Sequence, residues 1–304
     1  MSNLFKKTLG YAFSALITVG LCTTIYAKPE IKPLEANIAE LGSEYYDFKV
    51  KEFQSKDRQR TYKVWLGVPK TITNKQYEFY SIFMLDGNSA MSHLKEDTLK
   101  SLTEQNAPVL VAIGYKTNLP FESTLRSLDY TPAEKASAKP APDPRNPERM
   151  SGGSAAFQKI IIQEIAPWVE QNVKLDANNR AIWGHSYGGL FVLDSLLNTD
   201  YFSHYFAASP SLSWADQRII NKIQTIKINQ PTKKHVLLME GDIFADSSDK
   251  QSPNFDSNGI NNNRKILSIF NQQGVDAKFL IYPNLKHGEV FKASLIDILL
   301  NKFY

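Results

Sequence analysis

The chain has 304 residues, 42% hydrophobic and 22% charged, with a formal net charge of +4. That composition supports a sizeable buried core and excludes a disordered or low-complexity chain. With residues 1–27 set aside, 33 basic residues face 31 acidic ones, too even a balance to predict nucleic-acid binding.

Residues 1–27 contain no acid and have the pattern of an export signal. Lys6 and Lys7 supply the positive start, Leu9 through Ile25 are mostly apolar, and Ile25-Tyr26-Ala27 offers a small-residue cleavage site. The alternative is an uncleaved membrane anchor, the only membrane contact predicted. Cys22 is the single cysteine, and Leu21 before it argues against lipid attachment. The remainder, 28–304, is predicted to be one domain with no disulfide, thiol nucleophile or thiolate metal site. Export without disulfides points to a periplasm, where a core of this size stabilises itself by burial.

Residues 28–45 are polar and predict an extended lead-in. Strand-like runs follow at 46–50, 61–68 and 80–85, the second alternating Tyr62, Val64 and Leu66 with Lys63, Trp65 and Gly67. The third ends in Asp86-Gly87-Asn88, a turn signal. Ala107 to Gly114 is continuously apolar, as suits a strand buried on both faces. Residues 116–155 are long, polar and rich in proline, which predicts a functional or mobile loop. Phe157 to Val173 is amphipathic at helical spacing, with Ile160, Ile161, Ile165 and Trp168 on the apolar face. Arg180 to Trp183 is a short strand and Leu190 to Leu197 a helix. Further strands are predicted at 205–209, 235–240 and 277–282, with helices at 261–272 and 291–303. Strands alternating with helices after an antiparallel start predict an α/β-hydrolase fold, a mostly parallel sheet with both faces covered.

Between strand and helix lies Gly184-His185-Ser186-Tyr187-Gly188-Gly189, the Gly-x-Ser-x-Gly nucleophile elbow in its proper setting. The glycines let strand and helix approach closely, so Ser186 stands clear of its backbone. A serine hydroxyl needs a neighbouring base, usually histidine. Of His93, His185, His204, His235 and His287, only His287 follows the last strand, in the order serine, acid, histidine that this fold uses. His185 adjoins the serine, but on a tight elbow its ring should point away. The acid should follow strand 235–240, which indicates Asp242, with Glu240 and Asp246 behind it. An oxyanion hole needs two backbone N–H groups. Tyr187 should give one and Asn88 the other, with Gly87 second.

Several segments occur together here: Met84-Leu85-Asp86-Gly87-Asn88, Ile113-Gly114-Tyr115, Arg126-Ser127-Leu128-Asp129-Tyr130-Thr131-Pro132, Gly152-Gly153, the elbow through Leu190, and Ser209-Pro210-Ser211-Leu212. In that combination, over residues 40–304, the chain resembles the putative-esterase family of α/β hydrolases, above all the siderophore trilactone esterases of the salmochelin/enterobactin type. The resemblance implies hydrolysis of a macrocyclic serine trilactone without cofactor or metal. It implies Ser186 as nucleophile, His287 as base and Arg126 as a cleft cation for catechol groups. Where relatives carry Gly-Glu-x-Glu after the acid strand, this chain has Gly241-Asp242-Ile243-Phe244, so a serine–histidine pair without an acid is the alternative.

An arginine can hold an anion bidentately and stack on rings; the competing reading of Arg126 is a structural pair with Asp129. Tyr130 and Trp214 either line the pocket or pack. Two other functions stay open: a broader carboxylesterase for short acyl or hydroxycinnamoyl esters, and a binding protein retaining a hydrolase shell.

Overall fold

Helix α1 (Ile38–Leu41) precedes an antiparallel hairpin of strands β1 (Tyr46–Gln54) and β2 (Thr61–Pro69). The computed structural model describes residues 32–71, 78–105, 107–135, 138–243 and 258–300. Residues 1–27, read above as an export signal, Asp246 and the last residues of the helix predicted over 291–303 lie outside them. The chain continues through β3 (Phe79–Met84), α2 (Gly87–His93), α3 (Glu96–Thr103), β4 (Val109–Tyr115), α4 (Ser123–Tyr130) and a small hairpin, β5 (Ala141–Asp143) and β6 (Asn146–Ser151). Then come α5 (Ser154–Ile160), α6 (Ala166–Asn172), β7 (Leu175–His185), α7 (Tyr187–Asn198), β8 (His204–Ala208), α8 (Trp214–Thr225), β9 (His235–Gly241), α9 (Gly259–Gln272), β10 (Asp276–Tyr282) and α10 (Val290–Leu300).

Eight strands form one sheet in the order β1-β2-β4-β3-β7-β8-β9-β10. β2 joins β4 antiparallel, and every pair from β4 to β10 is parallel. Consecutive side chains alternate between two cores. Phe83, Val111, Ile182 and Tyr205 pack on one face with Phe157, Leu190, Phe191 and Phe270. Met84, Ala112, Trp183 and Phe206 pack on the other with Phe291, Leu295 and Ile298. Every residue of β4 is buried, as its unbroken apolar run predicts. The parallel strands all point their C-terminal ends to one side, where open α/β sheets gather their active groups.

The sequence reading missed the short helix α1 inside its extended lead-in and helices α3 and α8, and three features near the site also depart from it. Asp86-Gly87-Asn88 is no simple turn, because Gly87 opens helix α2 with Asp86 as a left-handed cap at φ 49°. Residues 116–155 are not a plain loop but hold α4 and the β5–β6 hairpin. The helix expected over 157–173 starts earlier, at Ser154, and contains a π turn over Ile161–Ile165. That wide turn lies directly before Pro167, whose missing N–H would otherwise break an α-helical ladder. Ile160, Ile161 and Ile165 are buried as expected, while Trp168 is half-buried.

Candidate active site

Ser186 sits between the end of β7 and the start of α7 with φ 60° and ψ −115°. A non-glycine residue in that region stores about 1–3 kcal/mol of strain and persists only when its surroundings impose it. Here they do. Its N–H donates to the Ala208 carbonyl at 2.9 Å, and its own carbonyl accepts from Leu190 at 3.0 Å and Ser211 at 3.2 Å. A Cβ on Gly184 would lie 2.5 Å from the Gly188 carbonyl carbon, so only glycine lets strand and helix meet this closely. The Ser186 Oγ lies 3.2 Å from the Ser211 Oγ. Ser211 belongs to the Ser-Pro-Ser-Leu segment, a signal present in the sequence but without an assigned role there.

His287 lies in the loop between β10 and α10. Asn284 turns that loop through a left-handed conformation, φ 61°, which asparagine tolerates well. The His287 carbonyl accepts from His185 Nε2 at 2.7 Å, and the two imidazoles stand 4.8 Å apart between centroids. Burial, reinforced by the neighbouring His287, holds the His185 pKa well below its ordinary 6.5. His185 is therefore neutral, with its proton on Nε2, since a carbonyl can only accept. His204 and His235 begin β8 and β9 at the opposite end of the sheet, stacked 4.7 Å apart. His93 closes α2 against Phe291.

Asp242 is exposed, and its Oδ1 accepts the Asn284 N–H at 2.6 Å. It thereby ties the end of β9 to the loop that carries His287. Glu240 is buried and accepts from Ser209 Oγ at 2.6 Å and Asn263 Nδ2 at 3.1 Å.

Arg126 does not pair with Asp129. Its Nε and Nη2 donate to the two carboxylate oxygens of Asp86, both at 2.8 Å. Burial opposes the charge, but the Asp86 carboxylate outweighs it and the guanidinium pKa is raised. Asp129 is instead fully buried, accepting from Tyr62 and Tyr115 hydroxyls at 3.0 and 3.1 Å and facing Arg60 at 3.5 Å. Burial lifts its pKa to about 6. Arg126 thus presents an ion pair, not a lone cation, to its surroundings.

Asn88 uses its side chain to fasten α2 to the end of β4. Its Nδ2 donates to the Tyr115 and Thr117 carbonyls at 3.0 and 2.9 Å, and its Oδ1 accepts the Tyr115 N–H at 2.8 Å. Asp86 gives the first turn of α2 no side-chain cap. Tyr130 and Trp214 are wholly buried and line no surface. Tyr130 accepts the Asp86 N–H at 3.0 Å, and the Trp214 indole donates to Asp143 at 3.2 Å.

Asp143 and Arg145 escaped the sequence reading because nothing local marks them. Asp143 is buried at the hairpin turn and receives the hydroxyls of Ser127 and Tyr187, the Trp214 indole, and the N–H groups of Arg145 and Asn146. It ties the hairpin to α4, to the residue after the elbow serine and to the start of α8.

A mostly parallel eight-stranded sheet with an elbow serine at a strand's C-terminal end and a histidine loop after the last strand defines an α/β hydrolase. Comparison narrows this class. The family described as Putative esterase matches residues 55–301, and the chain belongs to that family. It is 41% identical to the apo-salmochelin esterase of Escherichia coli over 298 residues, 97% of this chain and 91% of that one. It is 31% identical to the ferri-bacillibactin esterase BesA of Bacillus subtilis, across 80% of this chain and 84% of the other. The solved structure of the enterobactin and salmochelin hydrolase IroE superposes with a TM-score of 0.73 at 38% identity, covering 87% of this chain and 98% of that one.

Proposed function

We propose that this protein is a serine esterase that opens the trilactone ring of a catecholate siderophore. The 41% identity to the apo-salmochelin esterase across nearly the whole chain carries the reading, with the strained elbow at Ser186 supporting it. Ser186 Oγ attacks a lactone carbonyl while His287 takes its proton. The tetrahedral oxyanion is held by the Tyr187 and Asn88 N–H groups at the starts of α7 and α2, where helix ends favour negative charge. His287 then gives the proton to the departing seryl oxygen, leaving an acyl-enzyme on Ser186. Water, deprotonated by His287, releases the ring-opened acid and restores the serine. Asp242 acts through the loop, fixing Asn284 and hence the approach of His287. Activated serine and base suffice for this sequence.

The substrate is small, and no nucleic-acid partner is invoked. Export to the periplasm follows from the signal pattern of residues 1–27; among the described residues no helix is long and apolar enough to cross a membrane. Mass spectrometry of enterobactin incubated with the purified protein should show linear trimer and shorter esters, for both iron-free and iron-loaded forms if specificity is broad. Intact trilactone, alongside rapid hydrolysis of simple aryl esters, would mark a general carboxylesterase. Ser186→Ala should abolish turnover and labelling by a fluorophosphonate; retained labelling would move the nucleophile elsewhere.

A further inference from the structure

The hydroxyl oxygens of Ser186 and Ser211 lie 3.2 Å apart, and both residues are buried. The Ser211 backbone is locked onto the elbow. Its N–H donates to the Ser186 carbonyl at 3.2 Å, and its own carbonyl accepts from Trp214 at 3.1 Å. The residues before it, at the end of β8, are equally fixed. Ser209 turns at φ 37°, donating its N–H to the Met239 carbonyl at 2.7 Å and its hydroxyl to Glu240 at 2.6 Å. A Cβ on Gly189 would stand 3.0 Å from the Pro210 Cα, so the first turn of α7 packs directly on this segment.

Counting protons fixes the direction of the bond between the two hydroxyls. Ser186 has one hydroxyl proton, and the proposed reaction sends it to His287. Among the described residues the Ser211 hydroxyl has one hydrogen-bond partner, the Ser186 oxygen. If Ser186 donated to Ser211, the Ser211 proton would be buried without an acceptor, which is costly, and His287 would receive none. With Ser211 as donor, both protons are used.

We infer that Ser211 is a catalytic donor to the nucleophile oxygen, stabilising the charge that this oxygen carries as its bonds form and break. This rests on the reading of Ser186 as nucleophile and His287 as base. At 3.2 Å the resting bond is longer than the usual length of about 2.7–2.8 Å between hydroxyls, so it takes little from the nucleophile before attack. A hydroxyl donating to a charged oxygen closes to about 2.5–2.7 Å. An interaction that strengthens as charge develops speeds the chemical step without tightening substrate binding. In acylation the Ser186 O–H bond breaks towards His287 while Oγ bonds the ester carbon, and Ser211 donates to the electron-rich oxygen between them. In deacylation the bond from Oγ to carbon breaks. Its electron pair returns to Oγ, a proton comes from the His287 imidazolium, and Ser211 again faces the departing oxygen. Ser211 keeps its own proton throughout.

Ser211→Ala removes the donor and little volume, whereas Ser211→Cys keeps a weaker one. In the full-length protein, labelling of Ser186 by a fluorophosphonate and turnover of p-nitrophenyl butyrate should slow about 10- to 100-fold in Ser211→Ala. KM and the urea midpoint should stay close to wild type, and Ser211→Cys should fall between alanine and wild type in rate. Wild-type rates in Ser211→Ala would overturn the inference. So would equal losses in alanine and cysteine, or a loss confined to KM, since either marks packing and not a proton. Labelling of wild type at a residue other than Ser186 would remove the nucleophile and this inference together. Failure of wild type to open enterobactin, with Ser211→Ala still slow on the aryl ester, would count against the proposed substrate alone. Should Ser211→Ala not fold, Ser211→Cys decides: wild-type rates overturn the inference, and a partial loss with unchanged KM supports it.

Discussion

His185 Nε2 hydrogen-bonds the backbone carbonyl of His287 at 2.7 Å, joining the residue before the elbow serine to the proposed base. The bond fixes the loop of His287 without using its imidazole. His185→Leu keeps an apolar filler but removes the donor, and the loop loses its tether. Misplacement of a catalytic group by an ångström costs about 100-fold, so kcat should fall about 10- to 100-fold with little change in KM. Steady-state kinetics on an aryl ester will show this. An unchanged kcat would mean that Asp242 and the flanking strands hold the loop alone.

Asp86 and Arg126 form a buried bidentate pair, and breaking one side leaves an uncompensated charge. Arg126→Met should destabilise the fold by about 3–5 kcal/mol in urea titrations. The double variant Asp86→Leu/Arg126→Met should recover part of that loss, less the strain of a leucine at the left-handed φ of position 86. A single variant that stayed stable but bound catechol esters poorly would return Arg126 to the ligand.

Asp242 offers a sharp contrast of magnitudes. Disabling a triad acid costs about 10⁴-fold in kcat. Loss of one hydrogen bond to the Asn284 backbone predicts about tenfold or less for Asp242→Ala. Kinetics near the two extremes cannot be confused.

Asp143 gathers donors from α4, the elbow helix, α8 and its own hairpin. Asp143→Ala would leave the Tyr187 hydroxyl and Trp214 indole buried without their acceptor, at about 1–3 kcal/mol per orphaned group. The expected result is a lower urea midpoint and faster proteolytic cleavage within 138–151. An unaltered digestion pattern would show that the hairpin holds without it.

His204 gives a pH prediction. Burial, followed by the proximity of His235, lowers its pKa from 6.5 to about 4. Below pH 6.5 the unfolded chain takes up a proton that the folded chain refuses, so stability is full above 6.5 and falls towards pH 4. The loss amounts to about 3 kcal/mol at completion. Asp129, with its pKa raised to about 6, works in the opposite sense, because the folded state binds its proton first on acidification. Comparison of wild type with His204→Gln between pH 7 and 4 isolates the histidine, whose variant should show the shallower acid slope. Parallel slopes would rule out His204 as the source.

What the sequence by itself determined was whatever depends on neighbours along the chain. The period-two runs of β2, the unbroken apolar run of β4 and the elbow glycines each act over a few residues, so strands, sheet class and the strained Ser186 were legible. Helix α2 was missed because Asp-Gly-Asn opens helices and turns alike, and the 116–155 segment because its prolines hide a short helix and hairpin. Tertiary structure alone decided the pairings. Arg126 meets Asp86 across 40 residues, Tyr187 meets Asp143 across 44 and His185 meets His287 across 102. Each is a contact between charges or hydrogen-bonding groups brought together by sheet closure, and local periodicity carries no record of which distant partner a buried polar group will find.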